Sequence, residues 1–264
     1  LQDNRSNEIR NFVRTYAIEH QIPFFDIRHH QGLLRTLTIR NTTLDEWMVI
    51  LGVYKIDESI LFPLLDAIYE KFPFITSLQY AHLFMANESL SNGHLYVYKG
   101  KDFITEQLGH LKFKISARSF FQTNSLQTKQ LYDKVLSLAS LTGNEVVYDL
   151  YCGTGTIGLY LAHQTKKVIG IEYVSAAVED ARENTLLNNI QNAEFFAGDM
   201  KDLLTDEFVA QHQTPDVLIT DPPRAGMDKK VIQQIRKILP KRIVYVSCSP
   251  PSQARDLSFL SDLY

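Results

Sequence analysis

The chain is 264 residues long, 45% hydrophobic and 22% charged, with a formal net charge of −3. That length allows two packed domains; no apolar run approaches the roughly 20 residues that cross a bilayer, and no basic stretch followed by an apolar one opens the chain as a signal peptide would. The mild negative charge excludes a uniformly basic nucleic-acid binder without excluding a local basic face, while two distant cysteines, Cys152 and Cys248, and no Cys/His grouping of zinc spacing exclude a disulfide or zinc scaffold and point to a reducing cytoplasm.

Residues 1–120 predict a smaller α+β domain. NEIRNFVRTYAIEH places Ile9, Phe12, Val13 and Tyr16 on one helical face. LLRTLTIR alternates as a strand does, NTTLD follows as a turn, and EWMVILGVYK returns as a second strand. ILFPLLDAIYEKF predicts a helix with Pro63 near its first turn, SLSNGH a loop, and HLYVYKG and LKFKIS two further strands. The stretch KGKDFITEQLGHLKFKISAR sets Lys99, Lys101, Lys112, Lys114 and Arg118 against Asp102 and Glu106. Such a strand face is either merely solvated or contacts phosphate, and in the second case Arg28, His29, His30, Arg35 and Arg40 extend it. Phosphate contacts place RNA without reading its sequence.

Residues 121–264 follow a different grammar. SLQTKQLYDKVLSLASL is amphipathic through Leu131, Val135 and Leu138. Strand and helix then alternate: EVVYDLYC, a helix from Thr156, KVIGIEY, SAAVEDARENTLLNNI, AEFFAGD, DVLITDPP, MDKKVIQQIRKIL, RIVYVSC and a final helix start. Short strands rich in Val and Ile suit a mainly parallel sheet covered on both faces, which predicts a doubly wound, Rossmann-like α/β domain. Ligands of such sheets sit beyond the carboxyl ends of the strands.

The informative residues fall at those ends. DLYCGTGTIG supplies Gly153, Gly155 and Gly158 in G-x-G-x-x-G spacing, which by itself does not separate NAD from S-adenosyl-L-methionine. Glu172 closes the next strand, suited either to ribose hydroxyls or to solvent. Asp199 either bonds the exocyclic amine of adenine or caps the next segment. Cys152 reads as a small buried thiol. In TDPPRAG, Asp221 sits on a turn stiffened by Pro222 and Pro223, with Arg224 able to pair with a phosphate or carboxylate. A dehydrogenase has no evident use for this rigid acidic turn, whereas many class I methyltransferases place Asp/Asn-Pro-Pro there. In SFFQTN, Gln122 can donate and accept near a cofactor or base, and Phe120 and Phe121 either stack or pack, with the core their expected place. A lone cysteine is usually buried. Cys248 in YVSCSPP reads otherwise, because the fifth strand delivers it beside Asp221 and the glycine turn, with Pro250 and Pro251 directing the chain after it.

SFFQTN, DLYCGTGTIGL, GIEYVSAAVEDARENTLLNN, DPPRAG and VSCSPPSQARDL, in that order and spacing, resemble the bacterial RNA uracil-C5 methyltransferases, most of all the 23S ribosomal RNA branch, with the tRNA branch close. The resemblance covers 120–264 strongly, and KGKDFITEQLGHLKFKIS looks like the family's central domain. It implies a central RNA-binding domain over 1–120 and a methyltransferase domain over 121–264. It also implies S-adenosyl-L-methionine held by Gln122, Tyr151, Glu172, Asp199 and Asp221, with RNA as the partner. Cys248 is implied as the nucleophile that adds to C6 of a uridine so that C5 takes the methyl group; the usual SCNP reads SCSP here. Family members carry a glutamate base after two more strands, and some carry an N-terminal β-barrel or iron–sulfur cysteines. A chain ending at Tyr264 is therefore expected to be C-terminally truncated, with an exposed edge beside strand five and poor turnover or a stalled adduct. Rival readings are an RNA cytosine-C5 methyltransferase, which keeps a second cysteine where TDPPR stands here, an NAD-dependent oxidoreductase, and a non-catalytic RNA-binding fragment. Neither a membrane nor a metal is an expected partner.

Overall fold

In the computed structural model, which describes residues 3–85, 90, 93–122 and 124–264, the chain divides into two compact units. One comprises Leu1–Gln107 with Lys114–Arg118, the other Leu108–Phe113 with Ser119–Tyr264. Among the described residues no helix is long and apolar enough to cross a membrane.

The first unit is organised around strand β2 (Trp47–Val53), whose side chains are buried along its whole length. It lies between β1 (Leu34–Asn41), antiparallel to it, and β3 (Ile75–His82), parallel to it; β4 (His94–Gly100) then pairs antiparallel with β3. Helix α1 (Asn4–Glu19) opens the unit, capped by Asp3, and buries Ile9, Val13 and Ala17. Asp45 closes the predicted turn with φ 60° and an N–H bond to the Thr42 carbonyl of 3.1 Å. Helix α2 (Glu58–Lys71) makes the crossover from β2 to β3. It begins earlier than the pattern predicts, because the Ile60 and Leu61 amides already donate to Asp57. Pro63 therefore lies inside the helix rather than in its first turn.

Two strands stand where the sequence pattern predicts none, β3 and β5 (Phe103–Leu108). β3 carries buried Ser77 and Gln79, which mask an apolar alternation; the Gln79 amide donates to Ser77 Oγ at 2.8 Å and to the Asp102 carbonyl at 3.0 Å. β5 pairs with β6 (Leu111–Ser116) in a separate two-stranded sheet. Lys112 and Lys114 alternate with buried Phe113 and Ile115, as predicted. Of the expected SLSNGH loop, Ser89, Ser91 and Asn92 lie outside the described residues.

The second unit is the doubly wound sheet. Helix α3 (Ser125–Ala139) leads into β7 (Val146–Leu150), α4 (Thr156–Leu161), β8 (Lys167–Glu172), α5 (Ser175–Leu187), β9 (Ala193–Ala197), α6 (Met200–Leu203), α7 (Asp206–His212), β10 (Val217–Thr220), α8 (Lys229–Ile238), β11 (Arg242–Tyr245) and α9 (Pro250–Ser258). The spatial order is β11-β10-β7-β8-β9, parallel throughout, so all five carboxyl ends share one rim. Each face has its own core. Val147, Ile219 and Val244 pack with α3, α4 and α5, while Tyr148, Leu150, Ile169, Ile171 and Leu218 pack with α6, α7 and α8. That is why the strands read as continuous apolar runs.

Helix α3 differs from its predicted face. Thr128, Tyr132, Val135 and Ala139 are buried, whereas Leu131 and Leu138 are 36% and 50% exposed. The inward stripe is set by Tyr132, whose hydroxyl meets Thr156 Oγ1 at 2.7 Å and whose ring lies edge-on to Tyr160 at 5.6 Å.

Gly170 in β8 lies directly against Phe195; a methyl group there would overlap that ring and stand 3.0 Å from the Cys152 sulfur. Overpacking of this kind costs about 1–3 kcal/mol. Gly170→Ala is expected to lower the urea midpoint by a corresponding amount. Combined with Phe195→Leu, it is expected to cost less than the sum of the two single changes, and strict additivity would contradict this packing.

Candidate active site

The turn between β7 and α4 is left-handed at Tyr151 (φ 61°), Gly153 (φ 55°) and Gly155 (φ 76°). Side chains disfavour that backbone region, which accounts for the glycines. At Gly155 a Cβ would also strike Phe195 at 2.7 Å, whereas at Gly153 it would meet open space. The turn is thus packed on one side and open on the other.

Two carboxylates brace it. Asp149, fully buried in β7, accepts the Gly158 amide on Oδ2 at 2.8 Å, while its Oδ1 has no partner. Burial pushes its pKa up to about 7, with the negative charges of Asp221 and Glu172 adding to the shift. Glu172 accepts the Gly153 amide on Oε2 at 3.1 Å and the Val174 amide on Oε1 at 2.9 Å, tying the turn after β7 to the turn after β8. Asp149 belongs to none of the motifs, although a carboxylate inside the otherwise apolar VVYDL is a readable signal.

The other predicted residues take their places along the rim in strand order. Cys248 follows β11, Asp221 follows β10, Tyr151 follows β7, Glu172 ends β8 and Asp199 follows β9. The Asp221 amide donates to the Leu150 carbonyl at 3.3 Å, which keeps the Asp-Pro-Pro turn beside the glycine turn, and burial raises its carboxyl pKa. Tyr151 is half-buried, and burial pushes its phenol up to about 12. Of the alternatives open for Asp199, capping is realised. Its side chain caps α6 through the Lys201 amide at 3.2 Å and pairs with the Lys201 ammonium at 2.8 Å, holding its pKa below the ordinary carboxylate value. Gln122 lies half-buried just before α3.

Cys152 is 7% exposed, and burial raises its thiol pKa well above the ordinary value, in keeping with a packed thiol. Cys248 is exposed. The Val246 amide still donates to Thr220 at 2.9 Å, so the chain follows β10 almost to the cysteine. Ser249 then donates its amide to Ser247 Oγ at 2.9 Å, and Pro250 and Pro251 open α9, where a missing N–H is tolerated. Phe121 packs on the core near Phe113, at 5.9 Å between rings. Phe120 does not; it is 69% exposed, contrary to its expected place in the core. Both lie in the irregular segment between β6 and α3, where no strand or helix period assigns a ring to the core. Among the described residues no cluster of three His, Cys, Asp or Glu side chains is placed to hold a metal ion.

Residues 91–264 match the family model described as tRNA (uracil-5-)-methyltransferase. The chain is 52% identical over 257 residues, 97% of its length, to an uncharacterized RNA methyltransferase of Porphyromonas gingivalis, of which it spans 55%. Over 268 residues, covering 100% of the chain, it is 50% identical to an uncharacterized RNA methyltransferase of Bacteroides thetaiotaomicron, of which it spans 59%. It resembles the crystal structure of Pyrococcus abyssi tRNA (uracil-54, C5)-methyltransferase in complex with S-adenosyl-L-homocysteine with a TM-score of 0.77 at 30% identity, covering 94% of this chain and 59% of that one. The chain therefore corresponds to somewhat more than half the length of each.

A pKa raised by folding means that Asp149 favours the folded state at pH below its unfolded value of 3.8, and that this contribution is lost as pH climbs through about 7. Asp149→Asn is accordingly expected to lose less unfolding free energy than the parent between pH 4 and pH 8, by a few kcal/mol in urea titrations (about 1.4 kcal/mol per pKa unit). Parallel pH curves for the two proteins would show that Asp149 is ionised within the fold.

Proposed function

The chain belongs to the tRNA (uracil-5-)-methyltransferase family, and from that premise we propose that the protein transfers a methyl group from S-adenosyl-L-methionine to C5 of a uridine in RNA. The observation that carries the reading is the position of Cys248, an exposed thiol at the end of β11 and the start of α9, on the rim that also carries the glycine turn and Asp221.

The electrostatics of the rim support this cofactor over a dinucleotide. The two charges that act on Asp149 are both carboxylates, Asp221 and Glu172, and Asp149 Oδ1 lacks a partner. Such a crevice would repel a pyrophosphate and attract a sulfonium or an ammonium group. Glu172 and Asp199 keep lone pairs for ribose hydroxyls and the adenine amine, beyond those spent on Gly153, Val174 and Lys201. Gln122, Tyr151 and Asp221 complete the set toward the reacting end. When bound, the cofactor supplies an electrophilic methyl carbon whose bond to sulfur breaks with its electron pair left on that sulfur.

C5 of uracil is a weak nucleophile. The Cys248 thiolate corrects this by adding to C6: the S–C6 bond forms, and the C5=C6 pair shifts onto C5 and its carbonyl as an enolate. Once C5 carries the methyl group, a base removes the C5 proton. The C5–H pair then restores C5=C6, and the C6–S pair returns to the Cys248 sulfur. The ring must leave its stack to meet the thiol face-on, which favours looped or unpaired RNA.

The first unit binds the RNA in this reading, with phosphate meeting a face that carries Lys99, Lys101, Lys114 and Arg118, of which Lys101 also pairs with Glu46 and Arg118 also donates to the Leu90 and Gly93 carbonyls, and the reaction belongs in the cytoplasm. The pattern of motifs favours 23S ribosomal RNA. Transfer RNA is the second reading, supported by the family's description and by the substrate named for the Pyrococcus abyssi enzyme.

RNA containing 5-fluorouridine cannot lose a proton from C5 and is expected to trap the parent protein as a covalent complex stable in denaturing gels. Cys248→Ala should form none of it while keeping the thermal stabilisation given by S-adenosyl-L-methionine. Stabilisation by NAD instead, or an adduct that survives the substitution, would sink the proposal. Mass mapping of methylated uridines in RNA from cells lacking the protein distinguishes ribosomal from transfer RNA.

A further inference from the structure

Asp256 lies in α9 and is fully buried, although acidic residues are seldom buried without partners. Its carboxylate gathers donors from three segments. Oδ2 accepts the Tyr245 hydroxyl at 2.7 Å, from the last residue of β11, and the Met227 amide at 2.7 Å, from the loop after β10. Oδ1 accepts Arg255 Nε at 2.9 Å and Nη2 at 2.6 Å, and the same Nη2 donates to the Ala225 carbonyl at 2.7 Å. The Gln253 amide also donates to the Tyr245 carbonyl at 3.1 Å. Between these anchors Gly226, with φ 82°, leaves no room for a side chain: a Cβ there would stand 2.5 Å from Asp256 Oδ2 and overlap Arg255 Nη2.

The connectivity gives these contacts a meaning. Cys248 lies on the connection from Tyr245 to Asp256, whose two ends are joined by the Tyr245–Asp256 bond. Asp221 opens the loop whose other end, Ala225–Met227, is held by Arg255 and Asp256. One buried carboxylate thus holds the segment bearing the thiol and the segment bearing the Asp-Pro-Pro turn in a single arrangement, without lying in either.

We propose that Asp256, assisted by Arg255, is a positioning residue that sets the alignment of Cys248 against the Asp221 turn. This rests on the reading of Cys248 as the nucleophile. Only a carboxylate serves, because all four incoming groups are donors and each oxygen accepts two; an asparagine of the same shape would turn its own N–H groups toward two of them. A misplacement of the order of 1 Å remote from the chemistry can cost about 100-fold in rate.

The test uses the full-length protein. The rate of covalent complex formation with 5-fluorouridine RNA is measured at saturating cofactor and RNA, alongside the cofactor Kd and the urea midpoint. Asp256→Asn and Gly226→Ala are expected to slow complex formation by about 10- to 100-fold with the cofactor Kd changed less than about threefold. Tyr245→Phe, which removes one bond and no charge, is expected to slow it less, and it decides the matter should Asp256→Asn not fold. Val209→Ala, a core truncation in α7, serves as the stability control and is expected to lower the midpoint without slowing the reaction. Complex formation at the parent rate in folded Asp256→Asn, or in Tyr245→Phe where that variant decides, overturns the positioning role alone, as does a rate loss that Val209→Ala shares. A parent protein giving no Cys248-dependent complex overturns the nucleophile assignment together with it.

Discussion

The second unit depends on backbone amides being held by buried or half-buried carboxylates at the points where its chain reverses. After β7 the backbone is left-handed at three positions, a geometry that hydrogen bonds must maintain. Asp149 supplies one from below, through Gly158, and Glu172 supplies another from the neighbouring strand, through Gly153. Removing either acceptor would leave a backbone amide without compensation. Burial raises the carboxyl pKa of both Asp149 and Asp221, and at Asp149 the neighbouring charges of Asp221 and Glu172 add to the shift. The carboxylates that shape the turn are the same groups that the proposed sulfonium cofactor would meet.

The parallel sheet was legible because burial on both faces leaves strands with little choice of composition: VVYDL, KVIGIE and VLIT face two cores. The first unit hid more. Gln79 donates to Ser77 Oγ and to the Asp102 carbonyl from inside β3, so a central strand carries the polar content of a surface one. Periodicity located α3 but not its orientation, since Thr128 and Tyr132 turn inward through a hydroxyl contact that no count of apolar residues registers. Phe120 and Phe121 looked equivalent, yet in the irregular segment between β6 and α3 only Phe121 packs on the core.

At the rim, strand ends could be read from the motifs, and the residues singled out there do follow successive strands. Asp256 could not be read. Arg255 and Asp256 within an amphipathic helix have the look of a solvated face, and the groups that bury Asp256 come from residues 225–227 and 245, on other segments. Hydrogen-bond hubs of this kind are assembled by tertiary structure from residues that are individually unremarkable. What motif reading finds is the chemistry presented at the ends of strands; what it misses is the scaffolding behind.

The contrast between the two cysteines has a practical use. Cys152 is shielded beneath β8 with its thiol made harder to ionise, and Cys248 stands open to solvent. Alkylating reagents act on thiolates they can reach. A fluorophore or spin label introduced on this chain at neutral pH would therefore mark a single location, providing a spectroscopic reporter between β11 and α9 with no need to engineer away the other sulfur.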